Sequence, residues 1–452
     1  METDQRRMNQ ITEGSIAKAL MFFFFPILFG TFFQQLYNTA DAIIVGQFVG
    51  KEALAAVGGT TGTLINLLVG FFTGLSSGAS VVIAQYYGGK KNKELSDSVH
   101  TAIALAITGG MLLMILGLIL APSVMKAMGT PKEILDYSLT YIRIYFLGMI
   151  PNLIYNMGSS ILRATGDSKR PLYYLILSTF TNIVLDLIFV TMFDWAIFGV
   201  ALATVLSQVL SAFLVLRQLL TTTDTYRLYV KKLQFDSYVL KRIFYLGLPA
   251  GLQSSMYAIS NVIIQSFVND YGTDMIAAWT AYSKIDAIFW MMIGALGISI
   301  ATFVGQNYGA HRMDRIRQCV RLSLILAFGI TLVLTTFLYF ASPLLFRLFN
   351  DDPDVIQKGI VILRFLAPTF ITYVTIEVLA STLRGSGVSI VPMILVCFGI
   401  CGLLILWIYA ATPIWPGIKT VLTSYPLTWS VTTILFVIYY LYKKRSLYKV
   451  SM

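Results

Sequence analysis

Along most of this chain apolar residues run on for about twenty positions at a time, and short polar, charged segments separate the runs. Stretches such as 102–120, 172–190 and 322–340 are each about long enough, as helices, to cross roughly 30 Å of hydrocarbon. Twelve such spans can be drawn: 17–45, 54–84, 98–122, 136–160, 171–194 and 197–217, then 241–269, 275–307, 319–345, 357–382, 391–411 and 420–441. In hydrocarbon every backbone polar group must find its partner inside the protein. The pattern therefore predicts an all-α integral membrane protein of twelve transmembrane helices. A polar, basic connector at 219–240 divides an N-lobe, 1–218, from a C-lobe, 241–452.

The two lobes are copies of one unit. The phrase LRATGDSKRP, from Leu162 to Pro171, returns 221 residues later as LRGSGVSIVP, from Leu383 to Pro392. Gln85-Tyr86-Tyr87-Gly88 and Gln306-Asn307-Tyr308-Gly309 stand at the same offset of 221. One constant offset between distant landmarks is the signature of duplication. Six spans per copy is an even number, so the repeats are parallel, with a central cleft between two six-helix lobes as the expected route for a substrate. Several spans exceed the length needed to cross and contain glycine or proline. Pro26 in span one and Pro249 in span seven are matched kink positions and candidate hinges.

Composition agrees: 57% of the 452 residues are apolar, 12% are charged, and the mean hydropathy is +0.74. The first basic segment leads into a long apolar helix, so no cleavable signal peptide is expected. The net charge of +11 would suggest nucleic acid in a soluble chain. Here 24 of the 33 Lys and Arg fall on the side of the N-terminus, including Lys90, Lys91, Lys93, Lys231, Lys232, Arg312, Arg315 and Arg317. The positive-inside rule then places both termini in the cytoplasm, and the basic excess reads as topology without nucleic-acid binding. The three cysteines and two histidines (His100, His311) form no disulfide framework or metal set. Gly46-Gln47-Phe48-Val49-Gly50-Lys51 is one residue short of a phosphate loop and is followed by Glu52, so no ATP site is expected.

Carboxylates inside spans are rare because a charge in hydrocarbon is costly, and each one marks a candidate site. Asp41 lies in span one within the polar stretch from Gln34 to Asp41, which also holds Tyr37 and Asn38. Asp186 lies in span five with Asn182 one turn earlier, and span six carries Thr204. At about 1.5 Å per residue these positions fall in the outer half of the bilayer, at depths compatible with one cluster. Two carboxylates with an amide, a hydroxyl and a phenol suit a hard monovalent cation such as Na⁺. Alternatively, desolvation and mutual repulsion let the pair hold a proton near neutral pH. In the second copy Asn182 corresponds to Leu403 and Asp186 to Trp407, and the proline match sets Asp41 against Ile264. Gln34, Asn38, Tyr141, Tyr257, Lys284, Asp286 and Glu377 are candidates to line a substrate cavity.

LYNTADAIIVGQFVGKEALAAVG, the two Leu-Arg-x-Ser/Thr-Gly phrases and the spacing of Asn182 and Asp186 resemble the multidrug and toxic compound extrusion (MATE) family. The resemblance covers essentially all twelve spans and points to a bacterial, DNA-damage-inducible protein F-like branch that couples through its N-lobe. It implies a secondary antiporter of the inner membrane, monomeric and without a cofactor, which exports cationic amphiphiles in exchange for H⁺ or Na⁺ by alternating access. It carries the family's coupling site onto Asp41, Asn182, Asp186 and Thr204, with Tyr37 beside it. Some members hold a C-lobe Glu and Asp where this chain has Tyr257 and Tyr373, so a C-lobe Na⁺ site is not implied. Two rivals remain. A lipid-precursor flippase would need cationic cavity residues, for which only Arg143, Lys284 and Arg364 offer themselves. A membrane-embedded enzyme would need an intramembrane histidine or nucleophile.

Overall fold

The computed structural model describes residues 11–447, and all the regular structure within them is helical. Among the described residues ten helices are long and apolar enough to cross a membrane: Ile16–Val49, Lys51–Gly88, Asn92–Ala127, Lys169–Met192, Ala196–Thr221, Thr273–Gly309, Met313–Arg347, Pro353–Gly385, Ile390–Ala411 and Ile418–Lys444. The other two expected spans are also helical. Span four is the pair Lys132–Leu147 and Met149–Ala164, broken at Gly148, and span seven is Ser237–Asn269. Both dilute their apolar character with polar residues, Asn152 and Asn156 in one and Gln253, Ser254 and Gln265 in the other. The result is the twelve-helix, two-lobed architecture that the hydropathy pattern predicts.

The repeated phrase is a helix stop and restart. Gly166 and Gly387 have φ of 104° and 90°, a left-handed conformation that a side chain would strain. In the first copy Gly166 N–H donates to the Arg163 carbonyl at 3.0 Å and Asp167 N–H to the Leu162 carbonyl at 2.8 Å. In the second, Gly387 donates to Arg384 and Val388 to Leu383, both at 2.9 Å. This is the paired Schellman closure of a helix C-terminus. Pro171 and Pro392 then occupy the opening turn of the next helix, where a missing N–H is harmless. Only the first copy adds a carboxylate: Asp167 Oδ1 accepts from the backbone N–H of Lys169 at 3.2 Å and Arg170 at 3.1 Å.

Two compact units emerge. Among the described residues one takes 11–13 and Phe25–Gly251, and the other takes Gly14–Phe24 together with the chain from Leu252 onward. The chain therefore changes unit inside spans one and seven, within a few residues of Pro26 and Pro249. Proline removes a hydrogen bond from the helix at these points, where bending is easiest.

The second repeated motif holds these entering helices. In the first unit, Arg242 at the start of span seven donates to Gln85 Oε1 at 2.6 Å and to the Tyr86 hydroxyl at 2.7 Å. In the second, Arg315 donates to Asn307 Oδ1 at 3.1 Å and to the Gly14 carbonyl at 2.7 Å, just before span one begins. The connector is also tied down: the buried His100 accepts the Tyr229 N–H at Nε2 (3.0 Å), while Thr101 Oγ1 accepts that of Asp236 (3.0 Å).

Spans two and seven pack backbone to backbone. A Cβ on Gly74 would collide with the main chain of Gly251, and one on Gly78 with that of Gly247. Two Gly-x-x-x-Gly pairs thus face each other, the usual device for close helix approach in membranes. Gly74→Ala and Gly78→Ala are each expected to destabilise the protein by about 1–3 kcal/mol through overpacking. A lower melting temperature in detergent would show it. Gly329→Ala, where an added Cβ meets nothing within 4 Å, should not lower it.

Candidate functional site

The first-half acids are drawn together by four spans. Tyr37 and Asp41 lie one turn apart on span one, and Thr179, Asn182 and Asp186 form a polar ladder along one face of span five. Span six contributes Thr204 and Ser207, and span four contributes Tyr141. All of these are buried, Asp41 at 5% exposure and Asn182 and Asp186 at 0%.

The contacts place them in one cluster. Thr204 Oγ1 donates to Asp41 Oδ2 at 3.4 Å, and the Tyr37 hydroxyl meets Ser207 Oγ at 3.4 Å. Ser207 Oγ donates to the Thr204 carbonyl at 2.8 Å, and Ser178 Oγ to the Ser207 carbonyl at 2.7 Å, which joins spans five and six. Asp186 and Asn182 approach the Asp41 carboxyl. Neither makes a hydrogen bond of good geometry there: Asp41 Oδ1, both oxygens of Asp186 and both polar atoms of the Asn182 amide have no partner. No basic side chain forms an ion pair with either acid among the described residues. Unpartnered buried carboxylates are tolerated only when a proton or a cation shares them. The donor set of carboxylate, amide and hydroxyl oxygens fits a small hard cation equally well.

Both acids precede a local widening of their helices. Span one passes into a π-helical turn at Val45–Val49, and span five into another at Ile188–Met192. The two turns touch. Such turns carry one extra residue per helical cycle and recur at functional sites. Sequence reading anticipates neither turn. It also passes over Thr179, Ser207 and Gln208, although their spacing from Asn182 and Thr204 marks them as neighbours on the same helix faces.

Not every expected residue joins this cluster. Tyr141, a substrate-cavity candidate, lies beside Asp41, Asp186 and Thr204 and stacks on Tyr145 with ring centroids 6.2 Å apart. Gln34 and Asn38 lie along the same side of span one as Asp41 but are exposed, outside the buried cluster. In the second unit Tyr257 meets Tyr373 through their hydroxyls at 3.3 Å. Glu377 accepts from Ser381 Oγ at 2.8 Å and Arg384 Nη2 at 2.9 Å, so its charge is already neutralised by the arginine of the repeated phrase. The spacing of seven residues, two helical turns, is the signal that could have paired them. Lys284 is exposed, while Asp286 lies half-buried on a different face. At the positions matching the first-half cluster, Ile264 is packed in the core and Trp407 Nε1 donates to the Thr420 carbonyl at 3.0 Å.

A duplicated twelve-span helical protein with a pair of bare acids buried together in one copy falls in the class of polytopic membrane transporters. The chain belongs to the MatE family, whose profile matches residues 26–188 and 249–409. It is 30% identical over 415 residues to the probable multidrug resistance protein YoeA of Bacillus subtilis, covering 89% of each chain. The multidrug export protein MepA of Staphylococcus aureus (strain MW2) is 22% identical over 391 residues, covering 84% of this chain and 85% of MepA. Among solved structures, a MATE protein in the bent conformation superposes with a TM-score of 0.90 at 24% identity, covering 98% of this chain and 99% of that one. A MOP superfamily transporter from Pyrococcus furiosus gives the same score and identity over 98% of each chain. These relatives are transporters, not enzymes.

Proposed function

We propose that this protein is a secondary antiporter that exports organic cations and drugs in exchange for H⁺ or Na⁺ by alternating access. The observation that carries this reading is the pair Asp41 and Asp186, buried without a basic partner and with bare oxygens, in one copy of a duplicated fold. A coupling ion entering from outside would sit between these carboxylates, with Asn182, Thr204 and Tyr37 completing the oxygen shell. Occupation removes repulsion between spans one and five, and the proline at position 26 gives span one a place to bend in response. YoeA, a probable multidrug resistance protein, and MepA, a multidrug export protein, support the substrate class. Most Lys and Arg face the cytoplasm if both termini lie there, which fits a multi-pass protein of the bacterial inner membrane. Each chain holds a whole cluster, so a monomer suffices. The flippase alternative is disfavoured because Arg143, Lys284 and Arg364 are all exposed, and Arg364 is engaged with Ser342 Oγ at 3.1 Å.

Everted membrane vesicles loaded with the transporter provide the test. Uptake of a cationic dye should follow one imposed gradient, of Na⁺ at equal pH or of pH without Na⁺. Uptake driven by neither gradient but by ATP would refute the antiport reading.

A further inference from the structure

We propose that Asp286 and the aromatic rings around it in the second unit receive the charged head of the exported organic cation. This rests on the transporter reading above. It assigns the substrate to a place distinct from the Asp41–Asp186 cluster.

Asp286 stands near the middle of span eight, Thr273–Gly309. Its Oδ2 accepts from the indole N–H of Trp290, one turn on, at 2.7 Å. Its Oδ1 is buried and has no hydrogen-bond partner. Tyr282, one turn earlier, brings its hydroxyl towards the carboxylate without closing a good hydrogen bond on Oδ1. Tyr282, Asp286 and Trp290 follow a spacing of four, so they share a helix face. Lys284 is exposed on another face, and among the described residues no basic side chain pairs with Asp286. This negative charge therefore has no counter-ion of its own.

Its surroundings are aromatic. Trp279 lies 5.2 Å from Tyr282 and 6.4 Å from Tyr425 of span twelve, measured between ring centroids. Tyr425 continues to Trp429 at 5.4 Å, and Trp429 to Trp290 at 6.2 Å. The rings run unbroken from one side of the acid to the other; Asp286, Trp290 and Tyr425 are partly exposed, and Trp279, Tyr282 and Trp429 are buried behind them. Indole and phenol faces attract cations whose charge is spread over a large apolar body. One carboxylate and two phenols are too few oxygens for a hard inorganic ion. The chemistry selects quaternary ammonium, phosphonium or protonated amine groups carried on aromatic bodies.

The duplication sharpens the assignment. At the offset of 221, Tyr282, Asp286 and Trp290 correspond to Thr61, Ile65 and Val69, and Tyr425 and Trp429 to Thr204 and Gln208. Thr204, which contacts Asp41 in the first copy, thus holds the place of an aromatic wall in the second. One copy carries bare acids among hydroxyls and the other a bare acid among rings.

The probe is tetraphenylphosphonium, whose charge does not change with pH, titrated against the purified full-length protein in detergent. Binding is followed by equilibrium dialysis and by quenching of tryptophan fluorescence. Asp286→Asn is expected to raise the Kd by about tenfold or more, the scale of one lost charge contact. Asp286→Glu should restore most of the affinity. Tyr425→Leu should weaken binding several-fold, and it decides the matter if the Asp286→Asn variant fails gel filtration. Triphenylphosphine oxide, a neutral analogue, should respond little to Asp286→Asn. Wild-type affinity in both Asp286→Asn and Tyr425→Leu would overturn the proposal, as would equal loss of the charged and neutral probes. If the wild type binds no organic cation at all, the transporter reading falls and this inference with it.

Discussion

Replacing Asp41 by Asn is expected to reduce efflux of a cationic dye to the level of cells that lack the transporter. The substitution keeps size and shape, so Thr204 Oγ1 still finds an oxygen acceptor, but the negative charge that would draw a coupling ion is gone. On the proposed mechanism, ion uptake would then no longer favour one conformation over the other, and without differential affinity a ligand shifts no equilibrium. The same variant should melt in detergent at or above the wild-type temperature. Asp41 Oδ1 is buried without a partner, and removing a bare buried charge relieves a penalty of about 1–3 kcal/mol or more. Loss of transport with retained or greater stability is the mark of a residue kept for function. Dye efflux, membrane abundance and a detergent melting curve, measured together, check it. Wild-type efflux by this variant would sink the coupling mechanism, and a collapsed melting temperature would return Asp41 to a structural role.

Arg384→Ala should have the opposite signature, a large loss of folded protein. Arg384 holds the Glu377 carboxylate at 2.9 Å, and both side chains are mostly buried, with 18% and 14% exposure. Removing the arginine leaves Glu377 without its counter-ion, which typically costs about 3–5 kcal/mol. Arg384→Met combined with Glu377→Leu removes both charges and should recover much of the deficit, because the pair's net worth is far smaller than the cost of splitting it. Yield and melting temperature of Arg384→Ala, the double variant and the wild type make the comparison. Equal stability of Arg384→Ala and wild type would show that the pair is solvated and not structural. The contrast with Asp41 is instructive. Each half buries carboxylates inside its spans, but Glu377 has its arginine and Asp41 does not.

Much of this was legible in one dimension. The cost of a charge in hydrocarbon singles out Asp41 and Asp186 without any coordinates, and the four-residue spacing adds Asn182. Hydrophobic length delivers the spans, although a helix end is harder to read than a helix. Span one continues past its expected limit into a π-helical turn, and span four breaks at Gly148. Tyr141 reads in the sequence as a candidate to line a substrate cavity, yet it lies beside the paired acids. Gln34 and Asn38 stand in the same polar stretch as Asp41 but are exposed where it is buried.

The sequence alone determined that the chain is a duplicated, all-helical membrane protein, and that the two copies differ where polar residues are most expensive. These conclusions depend on counts along the chain: run length, charge spacing and a constant offset. Only the tertiary structure decided which polar residues meet. Each residue turns a helix by about 100°, so meeting depends on how every span is rotated about its axis and how closely it approaches its neighbours. The facing glycines of spans two and seven set one such approach, and the hydroxyls of spans five and six another. That packing set Thr204 against Asp41, paired Glu377 with Arg384, and left Asp286 alone among rings.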